Sequence, residues 1–160
     1  MDQKHNTRKI GWLTDKGKVR EINEDTVLAT SFGGNFSSVH FLVVADGMGG
    51  HAKGEVASKR ASFSTSKIVM TTLGYKFDPF LIGTEPPAKI LKDAIQEANE
   101  DLHSWAKDNP ESAGMGTTTV CAIVTGNDVT LANVGDSRAY RVGPNVPNGI
   151  KQETKDHSLV

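Results

Sequence analysis

Cysteine is nearly absent from this 160-residue chain, where Cys121 stands alone. That excludes an intrachain disulfide and any cysteine-rich zinc site, and it suits a reducing compartment. Long apolar runs are also missing. No stretch approaches the ~20 residues that span a bilayer, and Met1 to Lys9 is too polar for a secretory signal. Neither sign of charge is in excess: 18 basic residues face 19 acidic ones for a net charge of −1, so no overall field recruits nucleic acid or anionic lipid. The composition that remains, 37% hydrophobic with 16 glycines, is that of an ordinary globular domain able to bury a substantial core. These features lead us to expect a cytoplasmic protein, or the cytoplasmic piece of a larger one.

Residues 1–9 read as a polar, disordered tail. Ile10 to Thr14 and Thr26 to Thr30 read as short strands joined by the charged loop Asp15 to Asp25. Val39 to Ala45 is a strong strand whose nearly continuous apolar character predicts burial on both faces. A helix is expected to open near Gly50 or His51 and to run towards Val69, with its serines and threonines weakening that end. Leu73 to Glu85 reads as an irregular connection. After Pro86-Pro87, Leu91, Ala94, Ile95, Ala98, Leu102 and Trp105 fall on one helical face, and Asn109-Pro110 stops the helix. Strands follow at Thr118 to Thr125, Val129 to Val134 and Ala139 to Val142, with Gly126-Asn127-Asp128 as a hairpin turn and a further short strand at Ile150 to Glu153. Strands lying before and after the helices favour an α+β sandwich over an alternating parallel fold.

Three acidic clusters sit where these strands end or turn: Asn23-Glu24-Asp25, Asp46-Gly47-Met48-Gly49-Gly50-His51, and Gly135-Asp136-Ser137-Arg138. Carboxylates gathered at strand ends repel one another unless a cation lies among them, and hard Mg²⁺ or Mn²⁺ prefers such an all-oxygen setting. Asp-Gly alone is a common turn dipeptide. Three glycines in four positions after a buried strand ask for more, because they let the backbone approach a ligand and present its carbonyls. Gly47-x-Gly49-x-x-Ala52 also fits the dinucleotide fingerprint. Against that reading, Asp46 would set a carboxylate beside the pyrophosphate, and no acidic residue lies between Val56 and Phe77 for the ribose. There is no Walker motif.

Arg20, four residues before Glu24, has the planar fork that suits a phosphate beside such a cluster. Gly135-Asp136-Ser137-Arg138 is, on its own, as readily a plain turn. Among the histidines, His40 belongs to a strand, His103 to a helix surface, and His5 and His157 to the chain ends. His51 lies beside the glycine loop or caps the helix start. Cys121 alternates within a strand and reads as core.

Together, Gly11-Trp12 … Gly17-x-x-Arg20-x-x-Asn23-Glu24-Asp25, Val43-Val44-Ala45-Asp46-Gly47-Met48-Gly49-Gly50-His51, Gly116-Thr117-Thr118-Thr119, Asn133-Val134-Gly135-Asp136-Ser137-Arg138 and Asp156-His157-Ser158 resemble the metal-dependent serine/threonine protein phosphatases of type 2C, in their bacterial and archaeal form. The resemblance implies a β-sandwich flanked by helices. It also implies hydrolysis of phosphoserine and phosphothreonine in phosphoprotein substrates by a water bridging two Mn²⁺ or Mg²⁺ ions. By position, it makes Asp46 the bridging ligand, the Gly47 carbonyl and Glu24 ligands of one ion, and Asp25 a support through water. Asp136 becomes a ligand of a third, weaker site. Arg20 would hold the substrate phosphate, and Thr118 would line the site.

The chain departs from the pattern in two ways. Some members carry a histidine two residues after the bridging aspartate as a proposed general acid. Met48 stands there, so no general acid is assigned. The two late metal-binding aspartates of the family, in Asp-Gly and Asp-Asn motifs, do not occur before Val160. The expectation is therefore an incomplete sandwich with one helical layer over residues 10–160, the N-terminal portion of a catalytic domain. Alone it should have little activity and a tendency to self-associate, without nucleic-acid or membrane partners. The alternative is a non-catalytic phosphatase-like module that binds phosphoproteins or a regulatory partner.

Overall fold

The structure, a computed structural model, describes residues 9–32, 39–49, 53–76 and 85–157. Strand β1 (Asp25–Phe32) leads to β2 (Val39–Met48), helix α1 (Lys53–Lys76) and helix α2 (Pro87–Asp108). Then come β3 (Gly116–Thr117), β4 (Thr119–Thr125), β5 (Asp128–Val134), β6 (Tyr140–Val142) and β7 (Ile150–Gln152). The main sheet has the order β1-β2-β4-β5, all antiparallel, with the short β3 pairing the far end of β2; β6 and β7 form a separate ribbon.

Alternation along β2 sets the layers. Phe41, Val43 and Ala45 are buried, and the strands beside them contribute Leu28, Cys121 and Ile123 to the same face. Helices α1 and α2 cover that face, α1 over β1 and β2 and α2 over β4 and β5. Ile90, Leu91, Ala94 and Ala98 form the buried stripe of α2, at the spacing its sequence predicts. Asn109 closes the helix, its backbone N–H and its side-chain amide both donating to the Trp105 carbonyl. The expectation that β2 is buried on both faces is corrected: Val44, on the face away from the helices, is 43% exposed. Among the described residues the fold is thus α+β, a main antiparallel sheet under one helical layer with a separate two-stranded ribbon.

Serine and threonine do not end α1 at Val69; it continues to Lys76, so Leu73 belongs to the helix rather than to a connection. The reason is packing. Ala57, Ser58, Ala61, Ser62, Thr65 and Ser66 are all buried, and their small size lets the helix axis settle close to the sheet, outweighing their modest helix propensity. Ser58 shares a 3.0 Å hydroxyl hydrogen bond with Thr26 of β1. Arg60 ties the helices together, donating to both Asp101 oxygens at 2.9 and 3.0 Å with its guanidinium 4.1 Å from the Trp105 ring centroid.

Other expectations need adjusting. Ile10 to Thr14 is not a strand: it pairs with no edge among the described residues, and Trp12 and Leu13 lie exposed. Thr118 falls between β3 and β4 instead of opening a strand. The expected hairpin is present, but its turn is the two residues Gly126-Asn127, with Gly126 at φ +55°, and Asp128 already pairs with Thr125 as the start of β5. Residues 1–8 of the expected tail, the expected helix start at Gly50 or His51, and the rest of the connection from residue 77 to 84 lie outside the described residues.

Candidate active site

The acidic ends of β1 and β2 meet because the two strands are antiparallel and in register there, with Asp25 opposite Asp46. Asp25 is raised above the ordinary carboxylate range. Loss of surrounding water is the larger cause, followed by the negative charges of Asp46 and Glu24. Such crowding is what a cation would relieve.

Glu24 is placed by backbone as well as charge. Its carbonyl accepts the Gly47 N–H at 3.1 Å, while its carboxylate accepts from Arg20 Nη1 at 2.8 Å. The Arg20 side chain is 72% exposed and that of Glu24 only 15%, so the glutamate is built into the wall and the arginine reaches over it from solvent. Asn23 shapes the turn before β1 by accepting the Asp25 N–H and donating to Thr14.

Asp46 sits at a break in the ladder. The pairing of β2 with β4 ends at Val44–Val120, and that with β3 begins at Gly47–Thr117. Thr118 fills the gap: its N–H donates to the Asp46 carbonyl at 2.8 Å, and its hydroxyl accepts the Asp46 N–H at 3.0 Å. Thr117 Oγ1 adds a third bond, to the Asp46 carbonyl at 2.9 Å. Thr118 Oγ1 also lies 2.6 Å from Ser137 Oγ, which draws the Asp136 loop to the same place.

Arg20, Glu24, Asp46, Gly47, Thr118 and Asp136 therefore line one open hollow of about 630 Å³, with Ile22 and Met48 as its apolar walls. Asp25 faces a smaller adjoining hollow of about 100 Å³ shared with Arg20, Glu24 and Asp46. The residues that the resemblance assigns to the site, Arg20, Glu24, Asp25, Asp46, Gly47, Thr118 and Asp136, each line one of these two hollows, whereas Arg138 lines neither. The donor set is all oxygen and suits a hard divalent cation. Among the described residues, however, no three His, Cys, Asp or Glu side chains converge closely enough to hold one ion. Glu24 is meanwhile engaged by Arg20.

Sequence reasoning missed three contributors. Gly54 packs against Gly47; its only signal was a glycine early in a helix. Ser137 stands inside Gly135-Asp136-Ser137-Arg138, a motif whose chemical signal lies in its aspartate and arginine. Thr117, in the threonine run, gave no sign that it would cap the Asp46 carbonyl. Cys121 is core as expected, its thiol pushed up to about 12 by burial.

The family model for protein phosphatase 2C matches residues 14–159. The chain belongs to this family. A serine/threonine phosphatase of Listeria monocytogenes is 38% identical over 150 residues, covering 92% of this chain and 54% of its own length. The crystal structure of the phosphatase Stp1 from Staphylococcus aureus superposes with a TM-score of 0.65 at 40% identity, over 91% of this chain and 52% of that one. The catalytic domain of the phosphatase PstP, solved in complex with two manganese ions, gives 0.64 at 31% identity, over 92% and 55%. The chain thus spans about half the length of these relatives.

Proposed function

We propose that residues 10–160 form the N-terminal portion of a phosphatase 2C catalytic domain that acts in cytoplasmic signalling and hydrolyses phosphoserine and phosphothreonine in proteins with Mn²⁺ or Mg²⁺. The observation that carries this reading is the hollow itself, where Arg20, Glu24, Asp46, Thr118 and Asp136 come from separate stretches of sequence to line one surface. Divalent cations bound there would supply an activated water and offset phosphate charge. Asp46 is the residue we assign to both ions of a pair, with the Gly47 carbonyl and Glu24 on one of them and Asp25 supporting through water. Asp136 is assigned to a third, weaker site. Thr118 acts as a wall and holds the Asp46 peptide. The two manganese ions of the related PstP domain support the assignment.

Arg20 is assigned to the substrate phosphate. With its guanidinium largely in solvent the pair is screened and contributes little, about 1 kcal/mol, so turning Arg20 from Glu24 to a phosphate costs little once a cation takes its place on the glutamate. The partner is a phosphoprotein. No nucleic acid or lipid is assigned, and among the described residues no helix is long and apolar enough to cross a membrane.

By itself the 160-residue polypeptide should turn over little or no substrate, since among the described residues no three His, Cys, Asp or Glu side chains converge on a single ion. That observation also favours a second reading, in which the hollow binds phosphorylated proteins without cleaving them. The test compares this chain with a fusion that joins it to the C-terminal half of the Listeria relative, using p-nitrophenyl phosphate and a phosphothreonine peptide with Mn²⁺. Turnover by the fusion that disappears with Asp46→Asn supports the phosphatase. Peptide binding without turnover by either protein supports the binding module.

A further inference from the structure

We infer that Ser137 is a positioning residue for Asp46, acting through Thr118, so that the strand end bearing Asp46 and the loop bearing Asp136 are held as one unit. The consequence for metal binding rests on the function proposed above; the hydroxyl chain does not.

Asp46 needs such a device because it lies where β2 changes partner from β4 to β3 and has no ladder acceptor for its N–H on that side. The Thr118 hydroxyl stands in for the missing carbonyl at 3.0 Å. A threonine hydroxyl can turn about χ1, and in another rotamer the acceptor is lost. Ser137 Oγ, at 2.6 Å, is the second bond that fixes the rotamer. Thr118 is buried, so water does not readily replace either bond.

The loop is pressed into place to make this contact. Gly135 is at φ +97°, and a Cβ there would lie 2.7 Å from Thr118 Cγ2, so only glycine lets the backbone come flush against the threonine. From the far side, His157 N–H donates to the Gly135 carbonyl at 3.0 Å, and Arg138 grips Asp156 through two nitrogens. Ser137 thus extends from an anchored loop, and its hydroxyl transmits that anchorage to the Asp46 peptide.

The test is amide hydrogen exchange by NMR in the chain without metal, with Mn²⁺ titration by calorimetry as a second arm. In Ser137→Ala the Asp46 amide should exchange about three- to tenfold faster, the worth of one hydrogen bond, while the Val43 and Cys121 amides at the centre of β2 and β4 keep their rates. Ser137→Thr, which retains the hydroxyl, should restore the parent rate, and Thr118→Val should exceed Ser137→Ala. Where the parent chain binds Mn²⁺, its affinity should fall and recover in the same order. Equal acceleration of all three amides would show a merely structural role and overturn the inference, as would an unchanged Asp46 amide. A parent chain that binds no Mn²⁺ would count against the metal site, and the exchange arm would still decide the coupling.

Discussion

Gly47 and Gly54 are packed backbone against backbone: a Cβ on Gly47 would fall 1.9 Å from the Gly54 carbonyl oxygen, and one on Gly54 would fall 2.8 Å from that of Gly47. This contact seats the first turn of α1 on the end of β2. It also fixes Glu24, whose Oε1 would lie 2.5 Å from the added carbon on Gly54. The helix start, the glycine loop and the glutamate are therefore one packed unit.

Gly54→Ala should accordingly cost about 1–3 kcal/mol, the usual range for overpacking a site that cannot relax, and it should weaken Mn²⁺ binding by displacing Glu24. Gly74→Ala is the control, because a Cβ there meets nothing within 4 Å. Urea unfolding of the two variants should separate them clearly. Equal midpoints would mean that the helix start shifts without cost and that the glycine contact positions nothing.

Much of the site could be read in the sequence because its carboxylates sit at strand ends, and strand ends are marked by apolar runs that stop. Asp46 after Phe41 to Ala45 is the clearest case. Three things could not be read. The Thr118–Asp46 bridge joins residues 72 apart in sequence and exists only because β2 changes partners. The length of α1 depends on small hydroxyl residues packing against the sheet, which local propensity counts as a weakness. Ile10 to Thr14 has a strand-like pattern, but a strand forms only where an edge pairs with it.

Asp46→Asn should lower Mn²⁺ affinity more than Glu24→Gln or Asp136→Asn. Neutralising it removes the charge assigned to two ions at a fixed strand end, on the order of 2–4 kcal/mol. Glu24 serves one ion, and Asp136 the weaker site. Calorimetric Mn²⁺ titration ranks the three. An Asp46→Asn chain that titrates like its parent would refute the metal reading of Asp-Gly-Met-Gly-Gly.

Leu91→Ala should destabilise the fold by about 2–5 kcal/mol, because the side chain is fully buried between α2 and the sheet. Phe63→Ala, at a position 61% exposed on α1, should change stability by less than about 0.5 kcal/mol. Thermal melts of the pair check that the core lies on the helical face.

The Arg138–Asp156 clamp predicts a pH signature. Hydrogen bonds from Arg138 hold Asp156 below the ordinary carboxylate range. The folded state therefore binds this proton less readily than the unfolded state. The stabilisation is present above the unfolded value of about 3.9 and is lost as pH falls through the lower folded value. Arg138→Ala should lower the urea midpoint at pH 7 and leave it nearly unchanged well below pH 3. Both side chains are partly exposed, so the effect is small and should shrink with salt. A midpoint difference that persists in strong acid would show that Arg138 acts by packing instead.

The face of the sheet away from the helices carries Val27, Leu42, Val44, Ala122, Val129 and Leu131 by alternation and register. Val44 is 43% exposed and Val129 is 58% exposed, on an inner and an outer strand of the sheet. Ala122, between them, is buried, so the exposure is patchy, yet exposed apolar side chains on one sheet face still favour association more than singly scattered ones. The 160-residue polypeptide should therefore self-associate as its concentration rises and bind a hydrophobic dye. Val44→Thr with Val129→Thr keeps two β-branched residues suited to strands while reducing apolar surface, so the double variant should shift the association to higher concentration without lowering the melting temperature much. Sedimentation velocity across a wide concentration range, with dye fluorescence in parallel, checks this. If the parent stays monomeric and dark with dye, the uncovered face is not sticky; if parent and double variant associate alike, the contact lies elsewhere, for which the exposed Trp12 and Leu13 are the next residues to change.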